Sequence, residues 1–76
     1  THVRLKGGAV KHLRRYVGRK IVVQLDAVVW SGTLVHAGRD EIELANATAG
    51  VHSNQVPADG RIVIFAIEVQ YVQVPD

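Results

Sequence analysis

The spacing of apolar residues changes once along this chain, close to residue 18. From Ala9 to Val17 the apolar positions are Ala9, Val10, Leu13, Tyr16 and Val17, which predicts a half-buried helix. Gly18 follows where a helix accepts a residue of positive φ. Arg14 and Arg15 suit the negative end of the helix dipole. The start carries no Ser, Thr, Asp or Asn cap. Beyond Gly18 the period becomes two. Ile21, Val23 and Leu25 share one face of a strand over 20–25, and Trp30, Gly32 and Leu34 share one face over 28–37. Over 41–47, Ile42 and Leu44 point in while Glu41 and Glu43 point out. Residues 61–66 form a dense apolar run, and 68–74 alternates again. Fourteen valines and five isoleucines supply the β-branched side chains that fit a pleated surface.

The connections are short. Leu25-Asp26-Ala27-Val28 and Ala37-Gly38-Arg39-Asp40 read as tight turns, and the link at residues 66–68 is barely a loop. Residues 48–60 read as the longest loop, with Pro57 and Asp59-Gly60 at its exit. Links this short favour antiparallel neighbours. The expected architecture is mainly β: an N-terminal α-helix, then five strongly bent antiparallel strands closing into a small SH3-like barrel. Gly32, mid-strand, is where such a strand bends. Residues 1–8 are expected to be a flexible basic lead and residues 9–76 a single domain.

Size and charge sharpen this picture. A 76-residue domain is marginal on its own, and with no cysteine it has neither disulfides nor thiolate metal sites to support it. Pairing with copies of itself is the remaining support. No run approaches the roughly 18 apolar residues of a membrane span, and Arg4, Lys6 and Lys11 interrupt any signal-peptide core, so a cytoplasmic protein without a membrane partner is expected. Residues 1–20 hold seven bases and no acid, whereas residues 21–76 hold two bases, Arg39 and Arg61, and seven acids. A segment of charge +7 joined to one of −5 points either to an anionic partner such as nucleic acid or to a basic helix complementing an acidic β-domain.

The order of elements and several short motifs resemble the Sm and Sm-like family, which includes the bacterial Hfq proteins. Leu13-Arg14-Arg15-Tyr16-Val17-Gly18-Arg19-Lys20 is similar to the family's helix end and entry into its first strand. Trp30-Ser31-Gly32-Thr33-Leu34 resembles the aromatic-x-Gly-x-Leu of the first Sm motif. Asp40-Glu41-Ile42-Glu43-Leu44 falls where the family's third strand runs. Gly60-Arg61-Ile62-Val63-Ile64, followed by Val69-Gln70-Tyr71-Val72, resembles the second motif and last strand. The resemblance spans residues 9–75. It implies a hexameric or heptameric ring in which the strand over 61–66 of one copy pairs with the strand over 68–74 of the next. An edge strand that stays alone normally carries charge or proline. The apolar Val63, Phe65, Val69, Tyr71, Val72 and Val74 are therefore expected at the seam between copies.

The same resemblance implies single-stranded RNA as the partner. Phosphates would fall to Lys11, Arg14, Arg15, Arg19, Lys20 and Arg39. Family members hold a base with an Asn and an Arg-Gly pair, and those positions here carry Glu41 and Phe65-Ala66. Phe65 stacks on a base or fills the seam, and Glu41 accepts a hydrogen bond. The alternative is an assembly module that carries no RNA, for example a viral or mobile-element scaffold. No cofactor, metal or enzymatic activity is expected: His2, His12, His36 and His52 have no ligand spacing, Ser31 and Ser53 have no His/Asp context, and Gly7-Gly8 lacks the surroundings of a phosphate loop.

Overall fold

The computed structural model describes residues 2–4, 9–51 and 54–75. The chain runs β1 (His2–Arg4), a 3₁₀ helix (Ala9–Tyr16), β2 (Lys20–Gln24), β3 (Val29–Ala37), β4 (Glu41–Val51), β5 (Asn54–Pro57), β6 (Arg61–Phe65), a 3₁₀ turn (Ala66–Glu68) and β7 (Tyr71–Gln73). All strands pair antiparallel, in the order β1-β7-β2-β3-β4-β5, with β6 attached to β4 off that path. The sheet bends but does not close: among the described residues β6 has a ladder with β4 alone. The expected mainly antiparallel β-domain with one N-terminal helix is present, and four differences refine it.

The helix is 3₁₀ and not α. Val10 and Leu13 are fully buried and Tyr16 packs on the core, whereas Val17 is 47% exposed. Burial thus repeats every three residues, the 3₁₀ period, not at i, i+3, i+4. Gly18, at φ +94°, reverses the chain. Its N–H donates to the Leu34 carbonyl at 2.7 Å, and the Leu34 N–H returns a bond to the Arg19 carbonyl at 2.9 Å. These two bonds fasten the helix exit to β3.

The long loop expected over 48–60 is instead a hairpin. β4 continues to Val51, and β5 pairs with its second half from Thr48↔Pro57 to Val51↔Asn54. The first half of β4 pairs with β6, from Glu41↔Phe65 to Ala45↔Arg61. Asn46 divides the halves. It adopts φ +52°, a left-handed conformation that Asn tolerates better than other non-glycine residues. Opposite it the β3–β4 register slips between Ser31 and Thr33, and it slips again between Leu34 and His36. Such bulges bend a strand pair and raise its twist.

Gly32 sits at that corner. A Cβ there would lie 3.0 Å from the Ala45 carbonyl and 3.1 Å from both Cα and Cβ of Ala47. Glycine lets β3 and β4 approach across the bend. The core then fills with alternate residues of each strand: Ile21 and Val23, Leu34 and Ala37, Ile42 and Leu44, Ile64, and Val72 with Val74. Trp30, on the face shared with Leu34, packs against it while remaining partly exposed.

Two corrections concern the ends of the chain. His2–Arg4, expected within a flexible lead, form a strand on β7 with register His2↔Gln73, Val3↔Val72 and Arg4↔Tyr71. Thr1 and residues 5–8 of that lead fall outside the described residues, as do His52, Ser53 and Asp76. Val69, Val72 and Val74, expected at a seam between copies, are 6%, 0% and 1% exposed in this chain alone. They are core side chains of their own domain, Val72 from β7 itself and Val69 and Val74 from the residues on either side of it. No helix among the described residues is long and apolar enough to cross a membrane.

Candidate assembly edge and basic face

β6, attached to β4 off the main strand path, and the β1–β7 pair at one end of that path differ in chemistry. On the β6 side, directly opposed residues share a face. Ile64 lies opposite Ile42 and points in. Phe65 lies opposite Glu41, and Val63 opposite Glu43, so these four share the outer face. His36, opposite Glu43 on β3, joins them. Val63 and Phe65 are 50% and 54% exposed, and Ile67, just beyond, is 88% exposed. Two carboxylates therefore flank an exposed apolar strip along a strand whose second edge carries no ladder among the described residues.

Residues 41 and 65, singled out from distant parts of the sequence, are thus register partners. Glu41 is nonetheless partly committed. Its Oε1 lies 3.6 Å from Nε2 of His36. Its carboxylate also occupies the space a side chain on Gly38 would need, while the Gly38 N–H donates to the Glu41 carbonyl at 2.8 Å. The Ala66 N–H donates to the Asp40 carbonyl at 2.8 Å, which holds the end of β6 against the β3–β4 turn. Arg39 is exposed in that turn.

Lys11, Arg14, Arg15, Arg19 and Lys20 are all exposed. Two of them also tie elements of the fold together. Arg14 donates from Nε to the Ala37 carbonyl at 3.0 Å, joining the helix to the end of β3. Arg19 donates from Nη2 to the Pro75 carbonyl at 2.8 Å, just past β7. The guanidinium carbons of Arg15 and Arg19 lie 5.9 and 6.0 Å from the Tyr16 ring centre, within cation–π range. Arg19 and Lys20 therefore stand beside the β7 end of the sheet, and Lys11 and Arg15 project from the helix. The structure brings Arg14, Arg39, Glu41 and Phe65 towards one end of β3 and β4, through the Ala37 and Asp40 carbonyls. It keeps Arg19 and Lys20 at the β7 side.

A groove of about 400 Å³ opens between the β2–β3 turn and the 3₁₀ turn before β7. Gln70 spans it, donating from its main chain to the Gln24 carbonyl at 2.9 Å and from Nε2 to Asp26 Oδ1 at 3.4 Å. Its walls carry Leu25, Val28 and Ile67 with the carboxylates Asp26 and Glu68. Among the described residues no group of three His, Cys, Asp or Glu could hold a metal ion.

What the sequence missed is the role of the N-terminal residues. Nothing in Thr1-His2-Val3-Arg4 alternates clearly enough to announce a strand, and its partner lies some 70 residues away. No known family model matches this sequence, and no curated protein matches it.

Proposed function

We propose that this chain is an Sm-like assembly module, not an enzyme, whose copies join head to tail through the edges of β6 and β7 into a ring. The bent sheet is then the family's small barrel, spanned between β6 and β7 by the Ala66–Glu68 turn. One observation carries this reading: β6 is an unguarded edge beside exposed Val63, Phe65 and Ile67. Edge strands that remain alone are short, charged or covered, and β6 has only Arg61 at its start. The charge distribution agrees with a head-to-tail contact. Glu41 and Glu43 flank β6, while Arg19 and Lys20 flank β7, so identical copies present opposite charge across the seam. A contact between unlike surfaces of identical chains closes into a ring when the rotation permits.

Light scattering at micromolar concentration tests this directly. A ring-sized mass is expected for the native chain and a monomer for Val63→Lys with Phe65→Lys. Since both side chains are half-exposed, that variant keeps its circular dichroism and thermal transition. A native chain that stays monomeric as its concentration is raised to the millimolar range overturns the reading.

A second function is favoured by a specific observation. Lys11 and Arg15 project from the helix with no ion pair among the described residues, beyond the Arg15–Tyr16 ring contact. On a ring these cations repeat around one face, and single-stranded RNA is the partner that such a face serves, with Phe65 available for stacking. Phosphate contacts give affinity without sequence preference. RNA affinity should fall steeply with salt, and Lys11→Glu with Arg15→Glu should lower the log–log slope by about 1.4 per chain engaged. These positions leave the structural bonds of Arg14 and Arg19 intact. A salt-insensitive affinity, or none at low salt, leaves the assembly without RNA.

A further inference from the structure

The seam proposed above needs the outer edge of β7, and in this chain that edge is already taken. β7 pairs with β2 through Val22↔Gln73, Val23↔Val72 and Gln24↔Tyr71, and the same three residues pair on the other side with β1. We propose that β1 is an intramolecular cap: His2–Arg4 hold the strand-accepting edge of β7 shut, and a second copy's β6 joins only after β1 lifts away. This inference rests on the edge-to-edge assembly proposed above.

Three features suit β1 to a reversible cap. It is three residues long, so the ladder it offers β7 is short. It lies at the outer end of the strand order, and β7 is its one ladder among the described residues. It also turns the exposed end of the sheet into a short edge bearing Arg4, the kind of edge that resists pairing with other chains. The competitor is stronger. β6 offers five residues, Arg61-Ile62-Val63-Ile64-Phe65, and brings Val63 and Phe65 to be buried on joining. The chain thus carries both a weak strand and a strong strand for one edge, the weak one always at hand and the strong one available only from another molecule. Concentration then sets which occupies it, with β1 keeping the dilute chain monomeric.

The cap is tested by changing β1 alone. Adjacent N–H groups in a strand point to opposite edges, so prolines at both 3 and 4 remove whichever one donates to β7. If the open state is a minor one at about one part in ten, Val3→Pro with Arg4→Pro should tighten self-association about tenfold in sedimentation velocity. The opposite arm locks the cap: His2→Cys with Gln73→Cys, at register partners, should be monomeric when oxidised and assemble on reduction. Unchanged association in the proline variant, or assembly of the oxidised form, overturns the cap while leaving the assembly intact. Weakened association in the proline variant also overturns it, placing β1 inside the seam as an added strand. Monomers throughout, in native and proline forms alike, overturn both the assembly and the cap.

Discussion

Gly32→Ala is the smallest change that tests how the sheet bends. The added Cβ would meet the Ala45 carbonyl oxygen at 3.0 Å and Ala47 Cα and Cβ at 3.1 Å, where ordinary contact begins near 3.4 Å. Two of these three atoms are backbone of β4, so no side-chain rotation relieves them. β3 and β4 must separate by a few tenths of an ångström at the corner between the two halves of β4. Overpacking of this kind costs about 1–3 kcal/mol. Alanine recovers about 0.4–1 kcal/mol by restricting the unfolded chain. The net loss is about 1–2 kcal/mol, or roughly 5–15 °C in Tm for a domain of this size. Urea unfolding followed by circular dichroism measures it at constant m. Ala47→Gly removes one of the three clashing atoms, so the double variant should regain part of the loss, with a coupling above about 0.5 kcal/mol. A Gly32→Ala chain as stable as the parent would refute the account of the corner.

The left-handed corner residue offers a complementary test: Asn46→Gly should be near neutral, whereas Asn46→Val should lose about 1–2 kcal/mol for holding a β-branched residue at positive φ. Neighbouring residues on β6 should separate cleanly by face. Ile64→Ala, at 3% exposure, should cost about 2–5 kcal/mol in chemical unfolding, and Val63→Ala, at 50%, should stay within about 0.5 kcal/mol when measured on the monomer.

The elements that were legible in the sequence are those whose side chains alternate against a core. Ile21 and Val23, Leu34, and Ile42 with Leu44 all point inward as their spacing predicts. The helix was visible as an element but not by type. Val17 follows Tyr16 directly, and an apolar residue there completes an α-helical pattern on paper; only its exposure shows that the burial period is three. The β4–β5 hairpin was hidden because Ala45-Asn46-Ala47-Thr48-Ala49-Gly50 is small and weakly patterned. Such a stretch suits a bent, bulged strand and reads as a loop. At the candidate site, the register pairing of Glu41 with Phe65 came from the structure alone, because strand order does not fix register across a long connection, whereas the exposed cations were evident from charge.

The edges were least legible, for a physical reason. Side-chain period reports which face of a strand is buried, because burial acts on side chains. Edge pairing is made by main-chain N–H and C=O groups that every residue except proline carries. Apolar character near the end of the chain therefore pointed to a seam, yet Val72 and Val74 serve the domain's own core, and it is β1, three unremarkable residues, that occupies the neighbouring edge. Only where a strand has both a half-exposed apolar face and an unpaired edge do the two kinds of information coincide. Among the described residues they coincide at β5, four residues ending in Pro57 with Val56 outward, and more fully at β6, with Val63 and Phe65 outward and no second ladder. Whatever this molecule joins, that strand is where main-chain bonding and apolar burial can be gained together. It follows that a charge placed at Val63 or Phe65 should impair association far more than the same charge at Tyr71, whose strand is already flanked on both sides.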